Sequence, residues 1–318
     1  MSDSSLDQAH AEPAGAVVSV VIPSYRSGAI VGEAIDSVLA QTRAADEIIV
    51  VDDGSPAGDE TAAVCARFNG RVRYIRQENQ RASVARNTGI TASKGGWLAF
   101  LDADDRWDPE KLELQLAALA RHPEADFCVT ASLAWSASDG SYRLYRWEGP
   151  ADPEVMRSEL LVRNIFTGAC SSLLTRRQAL EAVGCFPPGK GSEDRRVVLR
   201  LLERHRAVLI DVPLVRQQPG PAHWSDPEWQ RAEMLSLIED HATLYSRMDA
   251  TGLLKRRALA KVHDRAGMHY LENGDWRAAS RDLTRAAVLW PLLPNPWRVL
   301  INTCLGRLPS RAARTGRA

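Results

Sequence analysis

No G-x-x-x-x-G-K-[ST] stretch occurs anywhere in the 318 residues, which excludes a P-loop for nucleoside triphosphates. Gly28 and Gly32 do not complete a G-x-G-x-x-G, so a nicotinamide dehydrogenase would lack its fingerprint. There is no G-x-S-x-G elbow and no H-E-x-x-H. The five cysteines (65, 128, 170, 185 and 304) are odd in number and form no C-x-x-C pair. A thiolate metal site and a disulfide framework are therefore disfavoured, and a reducing cytoplasm fits best. The apolar stretches, such as Val17 to Ile22, fall far short of a membrane span. The polar, acidic first fifteen residues lack the basic start and apolar core of a signal peptide. Forty Lys and Arg balance forty Asp and Glu, so no basic field points to nucleic acid. What remains is 45% hydrophobic and 25% charged, the make-up of a soluble globular chain. Its length suits one large domain, or one domain with an appendage.

Order is expected to begin at Val17, after a disordered lead-in over 1–16. The β-branched run Val17–Ile22, stopped by Pro23, reads as a buried strand. Ser27 is placed to cap a helix with apolar positions Ile30, Val31, Ala34, Ile35, Val38 and Leu39. Strands at 47–51, 72–76 and 97–101 alternate with helices near 59–68 and 82–93, the latter closed by Gly95-Gly96. Asp108 and Pro109 supply an N-cap and a first-turn proline for a helix carrying Leu112, Leu116 and Leu119. Strand and helix at this tempo predict βαβ units, a mostly parallel sheet with helices on both faces. Further on the pattern loosens, with strands near 126–134, 170–175 and 207–215 and a helix near 195–204. From Asp226 the chain is almost entirely helical, and the stretch 216–222 is the natural boundary. Ala266, Tyr270, Gly274-Asp275-Trp276, Ala279, Ala286 and Pro291 resemble one tetratricopeptide-type hairpin, too few for a solenoid.

Two acidic clusters end predicted strands, at the edge where open α/β sheets bind ligands. Asp102-Ala103-Asp104-Asp105 packs three carboxylates into four residues, and their repulsion is relieved by Mg²⁺ or Mn²⁺ shared with substrate phosphates. The plain alternative is a solvated turn capping the next helix. Asp52-Asp53-Gly54-Ser55 offers carboxylates to a base or ribose, but Asp-Gly is favoured in turns on conformational grounds alone. Arg86 suits phosphate or an acidic neighbour. Glu193-Asp194 follow a Pro/Gly-rich loop and open a helix, where they serve either the helix dipole or general-base chemistry.

Together and in order, these segments resemble the family 2 nucleotide-sugar glycosyltransferases, which have the GT-A fold. The matching stretches are Val18–Tyr25, Glu47–Ser55, Ala85–Gly89, Lys94–Asp105, Gly184–Phe186 and Glu193-Asp194, spread over residues 17 to 217. The resemblance implies an α/β, Rossmann-like GT-A domain over 17–222 and a helical C-terminal region over 223–318 with a basic end. It implies an inverting, metal-dependent hexosyltransferase moving one sugar from a nucleotide-diphosphate sugar, with UDP or dTDP favoured. The acceptor would be a glycan, a lipid-linked sugar or a small molecule. At matching positions, Pro23 and Tyr25 would line the base pocket, and Asp52 or Asp53 would bond the base with Arg86 near the nucleotide. Asp102 and Ala103 would contact the ribose or sugar, and Asp104 and Asp105 would hold the divalent cation (Mn²⁺ or Mg²⁺) as a DXD-type motif. Asp194 would be the general base and Glu193 its neighbour.

Two departures stand out. Arg81 stands where the family often has a glycine, and Arg216–Gly220, ahead of His223, matches the family's basic/His stretch only loosely. Processive-synthase motifs are missing, so single transfer is expected. Acceptor choice falls to the segment 135–170, with Trp135, Tyr142, Tyr145 and Trp147. The chain is expected in the cytoplasm, with at most a peripheral contact at the inner membrane face through Arg307, Arg311, Arg314 and Arg317. Four arginines with no apolar helix give weak, salt-sensitive attachment at most. A non-catalytic nucleotide-sugar sensor acting through the helical tail is the alternative from another class. A nucleotidyltransferase would need a basic, Gly-rich loop that Pro23–Arg26 does not provide.

Overall fold

The computed structural model describes residues 13, 15–136, 140–166, 169–188, 191–218 and 227–304. The chain divides into two compact units, residues up to 157 with 164–220, and 158–163 with 221 onward. The expected lead-in, most of the 189–191 glycine loop, His223 and the basic end from Arg307 lie outside the described residues.

The first unit is built on one sheet. Its first half follows the predicted alternation: β1 (Val18–Ser24), α1 (Val31–Leu39), β2 (Glu47–Asp53), α2 (Thr61–Ala66), β3 (Arg73–Gln77), α3 (Arg81–Ala92) and β4 (Trp97–Phe100). β1, β2 and β4 are buried along nearly their whole length, as β-branched runs covered on both faces should be. α1 buries Val31, Ala34, Ile35 and Val38 against them. Each of the larger three contributes about 1.5–3 kcal/mol relative to exposure. Ser27 does not cap α1 with its hydroxyl, which bonds the Tyr25 carbonyl; its own carbonyl accepts from Ile30 and Val31. Nor does Gly95-Gly96 close α3. That helix stops at Ala92 with an extended Ser93 whose hydroxyl turns back to the Ile90 carbonyl.

The strands run β3-β2-β1-β4-β8-β6-β9-β5, with β7 beside β6. β3, β2, β1 and β4 pair in parallel, and so do β6 (Ala125–Ser136) and β9 (Arg206–Gln217). The other pairings, through β8 (Leu173–Arg176), β5 (Arg106–Trp107) and β7 (Ser141–Tyr145), are antiparallel. α4 (Lys111–Arg121) begins two residues later than the Asp108 cap implied. α5 (Pro153–Val162) and α7 (Arg177–Ala182) were not foreseen, and α6 (Ala169–Ser172) takes the start of the strand expected at 170–175. α8 (Glu193–Arg204) buries Val197, Val198, Leu201 and Leu202.

The second unit is helical among its described residues: α9 (Pro227–Asp240), α10 (Ala242–Met248), α11 (Leu253–Glu272), α12 (Trp276–Leu289) and α13 (Pro294–Cys304). α11 and α12 form the expected hairpin, and the Asp275 carboxylate caps α12 by accepting from the Ala278 N–H. Gly267 lets the two helices close up, since a Cβ there would lie 2.7 Å from Leu283 Cγ. No described helix is long and apolar enough to cross a membrane.

Candidate active site

Parallel pairing puts the carboxyl ends of β1, β2 and β4 side by side, with Ser24 opposite Asp52 and Val21 opposite Phe100. β2 ends in Asp52 and Asp53, and the chain leaving β4 carries Asp102–Asp105. α3 brings Arg86 to the same edge because Gly89, one turn on, rests directly on β1. A Cβ at Gly89 would lie 2.3 Å from Val21 Cγ1, so any other residue would lift the helix away.

Arg86 is buried and joins two elements distant in sequence. One guanidinium nitrogen donates to Asp102 Oδ1 at 2.5 Å and the other to Glu193 Oε1 at 2.9 Å, while the group lies over the Phe186 ring. Asn87 clips the loop that carries Phe186, exchanging hydrogen bonds with its backbone N–H and C=O. Phe186 in turn packs edge-on against Phe100 of β4, ring centres 4.9 Å apart. The start of α8 is thereby fixed against the end of β4.

Around this guanidinium stand carboxylates with raised pKa values. Burial, then the neighbouring Asp102 charge, pushes Asp104 up to about 6. Burial followed by Glu193 pushes Asp194 up to about 6, against one hydrogen bond from the Arg195 N–H. Asp105, almost wholly buried, is pushed well above the aspartate range by burial and by Asp102, although the Ser171 hydroxyl donates to it at 2.6 Å. In this cluster burial and mutual repulsion outweigh the donors that reach Asp105 and Asp194.

Behind the acidic loop lies a support that sequence reasoning missed. Ser171 Oγ also accepts from the Asp102 N–H, and the Ser171 carbonyl accepts from the Trp107 indole. Lys111, fully buried, sits 4.0 Å over the Trp107 ring and donates to Gln115, which donates to the Ser172 and Cys128 carbonyls. Burial drops the Lys111 pKa to about 7. The available signal was a lysine and a glutamine four apart beside the apolar stripe Leu112, Leu116, Leu119.

The second acidic turn is wired differently. Asp52 Oδ1 accepts from the Ser55 N–H, and Oδ2 from the Tyr74 hydroxyl and Arg76. Burial alone would raise its pKa, but the Tyr74, Ser55 and Arg76 interactions outweigh it and leave the value lowered. Asp53 Oδ1 accepts from Gln77 and the Gln80 N–H, while its Oδ2 has no partner among the described residues. Pro23 is buried in β1, and Tyr25 stands exposed just beyond it with Arg26 over its ring. The fold thus gathers Arg86, Asp102, Asp104, Asp105, Glu193 and Asp194 into one cluster with Ala103 buried in its loop. No hydrogen bond or ion pair among the described residues joins that cluster to Asp52 or Asp53. Arg81 takes a left-handed backbone, φ 73°, a conformation that favours glycine.

Among the described residues no three His, Cys, Asp or Glu side chains converge into a ready-made metal cage. The donor set instead suits a hard cation held by one or two carboxylates and completed by substrate phosphates.

The profile of Glycosyl transferase family 2 matches residues 19–184, more than half of the chain and all of the strands that carry the two acidic turns. This chain belongs to glycosyl transferase family 2. Among its relatives, an uncharacterized glycosyltransferase of Haemophilus influenzae is 31% identical over 189 residues, covering 59% of this chain and 62% of that protein. Another, from Rickettsia bellii, is 41% identical over 103 residues, which are 32% of this chain and only 15% of its own length. The chain therefore spans less than two thirds of either relative.

Two solved structures give the family fold. The mannosyltransferase PcManGT of Pyrobaculum calidifontis, in complex with GDP-Man and Mn²⁺, superposes with a TM-score of 0.59 at 18% identity, covering 93% of this chain and 82% of its own. TarS 1–349 of S. aureus gives 0.55 at 16% identity, covering 86% and 91%. At such identities the likeness concerns the fold, which is GT-A with a helical C-terminal region.

Proposed function

We propose that this family 2 member transfers a single sugar from a nucleotide-diphosphate sugar to an acceptor hydroxyl, with inversion and with the help of a divalent cation. The observation that carries the reading is the Arg86 junction. It ties Asp102 to Glu193 from two distant segments, and beside them burial and neighbouring carboxylates push Asp104 and Asp194 to pKa values of about 6.

Asp194 is the general base. A carboxylate with a pKa of about 6 is ionised at neutral pH, yet basic enough to accept the acceptor's proton as attack proceeds. Glu193 fixes its position by anchoring α8 to Arg86, and the Arg86 charge favours the ionised base. Asp104 and Asp105 would hold the cation, which would supply positive charge against the leaving diphosphate. Asp102 faces the sugar or ribose with Ala103 behind it. Of the two carboxylates at the other turn, Asp53 is the one for the base, because its Oδ2 is uncommitted whereas both Asp52 oxygens are bonded within the protein. Pro23 and Tyr25 complete the base pocket.

The solved structures TarS with UDP-GlcNAc, TarS with UDP, and PcManGT with GDP-Man support a nucleotide-sugar donor of this class, with UDP or dTDP favoured here. A glycan, lipid-linked sugar or small molecule is the acceptor.

Calorimetric titration with nucleoside diphosphates, with and without Mn²⁺, tests the reading. One diphosphate should bind only with the metal, and Asp104→Asn should lose that binding. Asp194→Asn should bind the donor as wild type does yet transfer nothing. Failure of the folded protein to bind any nucleotide would overturn the proposal. Binding without turnover on a broad acceptor panel would reassign the chain as a nucleotide-sugar sensor.

A further inference from the structure

The helical unit carries an apolar surface that its own packing leaves uncovered. Leu293 is buried with Ala260 and Ala286, yet its neighbour Leu292 is 81% exposed. On α13, Val299 is buried while Trp297 and Ile301, one turn apart on the same face, are 45% and 55% exposed. The Trp297 indole N–H donates to the Pro291 carbonyl at 2.6 Å, which holds the ring beside the Pro291-Leu292 step. Pro291, Leu292, Trp297 and Ile301 thus form one patch, and the one polar atom of the tryptophan is already satisfied within it.

Charge tells what meets this patch. From Trp276 to Ala318 the sequence has eight arginines and one acidic residue, a net charge of +7 in a chain whose total is zero. Arg277, Arg281, Arg285 and Arg298 are exposed and make no ion pair among the described residues. A second copy would bring the same positive charge against itself. An apolar patch with a tryptophan, in a segment rich in exposed arginine, matches instead a surface that is negative outside and hydrocarbon beneath.

We propose that the α12–α13 end of the helical unit docks on an anionic lipid bilayer, with Leu292, Trp297 and Ile301 entering the interface and the arginines holding the headgroups. This gives the basic C-terminal segment the apolar helix that sequence reading denied it, and it adds hydrophobic retention to a salt-sensitive attraction. The contact is independent of the transferase reading, and it is measured without any turnover.

The test is flotation of the full chain with phosphatidylcholine vesicles, with or without phosphatidylglycerol, at low and high salt. Wild type should float with the anionic vesicles and hardly with the neutral ones. Arg285→Glu with Arg298→Glu should weaken that binding by at least about tenfold, since each arginine near the surface accounts for roughly fivefold. Leu292→Asp with Ile301→Asp, both exposed and so tolerated by the fold, should weaken it comparably while nucleotide binding stays at the wild-type level. Quenching of tryptophan fluorescence by brominated lipid should fall in Trp297→Phe. Equal binding to neutral and anionic vesicles, no binding to either, or wild-type binding by the Leu292/Ile301 variant would each overturn the proposal. So would a solution dimer that Leu292→Asp dissolves, which would give the patch to a second copy.

Discussion

Asp52-Asp53 end one buried strand and Asp102–Asp105 follow another at the same edge of the same sheet, yet Asp52 is shifted one way in pKa and Asp104 and Asp105 the other. Asp52 has donors on both oxygens, and its pKa is lowered. Asp104 and Asp105 stand in a loop where burial and the charge of Asp102 dominate, and their pKa values are raised. Clustering of carboxylates therefore does not distinguish scaffold from site. The distinction lies in whether donors outweigh burial. At Asp52 they do and the acid holds a turn. At Asp104 and Asp105 burial and the Asp102 charge prevail, although the Ser171 hydroxyl and the Gln218 N–H reach Asp105, and that is the environment the proposed cation would relieve.

The sharpest way to break this comparison is the same substitution on both sides. Asp104→Asn should cut transfer by about 10²–10³-fold, as expected when charge stabilisation of a leaving group is lost. Its effect on folding should be nil or slightly favourable. The reason is the sign of the linkage: a carboxylate whose folded pKa is about 6, above the ordinary 3.8, costs stability as pH rises between those values, and the cost persists above them. Asp52→Asn should do the reverse in stability, losing about 1–3 kcal/mol by unmaking a buried, donor-rich carboxylate. Urea unfolding at neutral pH of the two variants, alongside turnover, checks both halves. A destabilised Asp104→Asn would show that its loop is scaffold after all.

Next in size is a pH effect. With Asp194 as base, kcat/KM should fall about tenfold per unit below a limb near pH 6. Glu193 is the largest neighbouring charge raising that pKa, so Glu193→Gln should move the limb to lower pH as well as loosening α8 from Arg86. A limb that stays in place, or moves up, would remove Asp194 from the role.

Smaller again is the support behind the loop. Lys111→Met would release Gln115 and the Trp107 ring, and with them the Ser171 peptide that pins Asp102 and Asp105. The expected loss is about tenfold in kcat with little change in donor affinity, as for a misplaced group far from the chemistry. The pH dependence of stability separates this from general damage. Because the folded lysine has a pKa of about 7 against 10.5 unfolded, wild-type stability should climb between those values, and the methionine variant should not climb.

Much of this was legible in the order of residues. The buried strands, the alternation up to α4 and the two acidic turns follow from period, β-branching and position. Arg86, Glu193 and Asp194 were each nameable, but the bond between Arg86 and Glu193 spans 107 residues, and no local pattern encodes it. The same holds for the difference between the turns, which resides in Tyr74, Arg76 and Ser171 on other elements. β7 was missed although Tyr142 and Leu144 alternate with Ser141 and Arg143, because the run is short and none of its five residues is buried, and β5 because two residues carry no pattern. The start of α1 was misjudged because the Ser27 carbonyl, rather than its hydroxyl, takes the first N–H groups, while Asp108 uses both, its carboxylate accepting from the Glu110 N–H at 3.4 Å and its carbonyl from the Lys111 N–H.

The mildest test removes a single donor from the satisfied turn. Tyr74→Phe deletes the 2.6 Å hydroxyl bond to Asp52 Oδ2 and leaves Arg76 and Ser55 in place. The stability loss should be about 1 kcal/mol, the usual worth of one hydrogen bond. Its signature is in acid. A lowered folded pKa gives stability that is fully present above 3.8 and lost as pH falls through the folded value; with one donor fewer, that value rises toward 3.8 and the loss begins at higher pH. Acid titrations of the variant and wild type, followed by tryptophan fluorescence, should therefore diverge on the acidic side while transfer at neutral pH stays within about twofold, as expected of a change away from the reacting groups. If transfer collapsed with the hydroxyl, Asp52 would belong to the site rather than to the turn, and the contrast between the two acidic strand ends would fail.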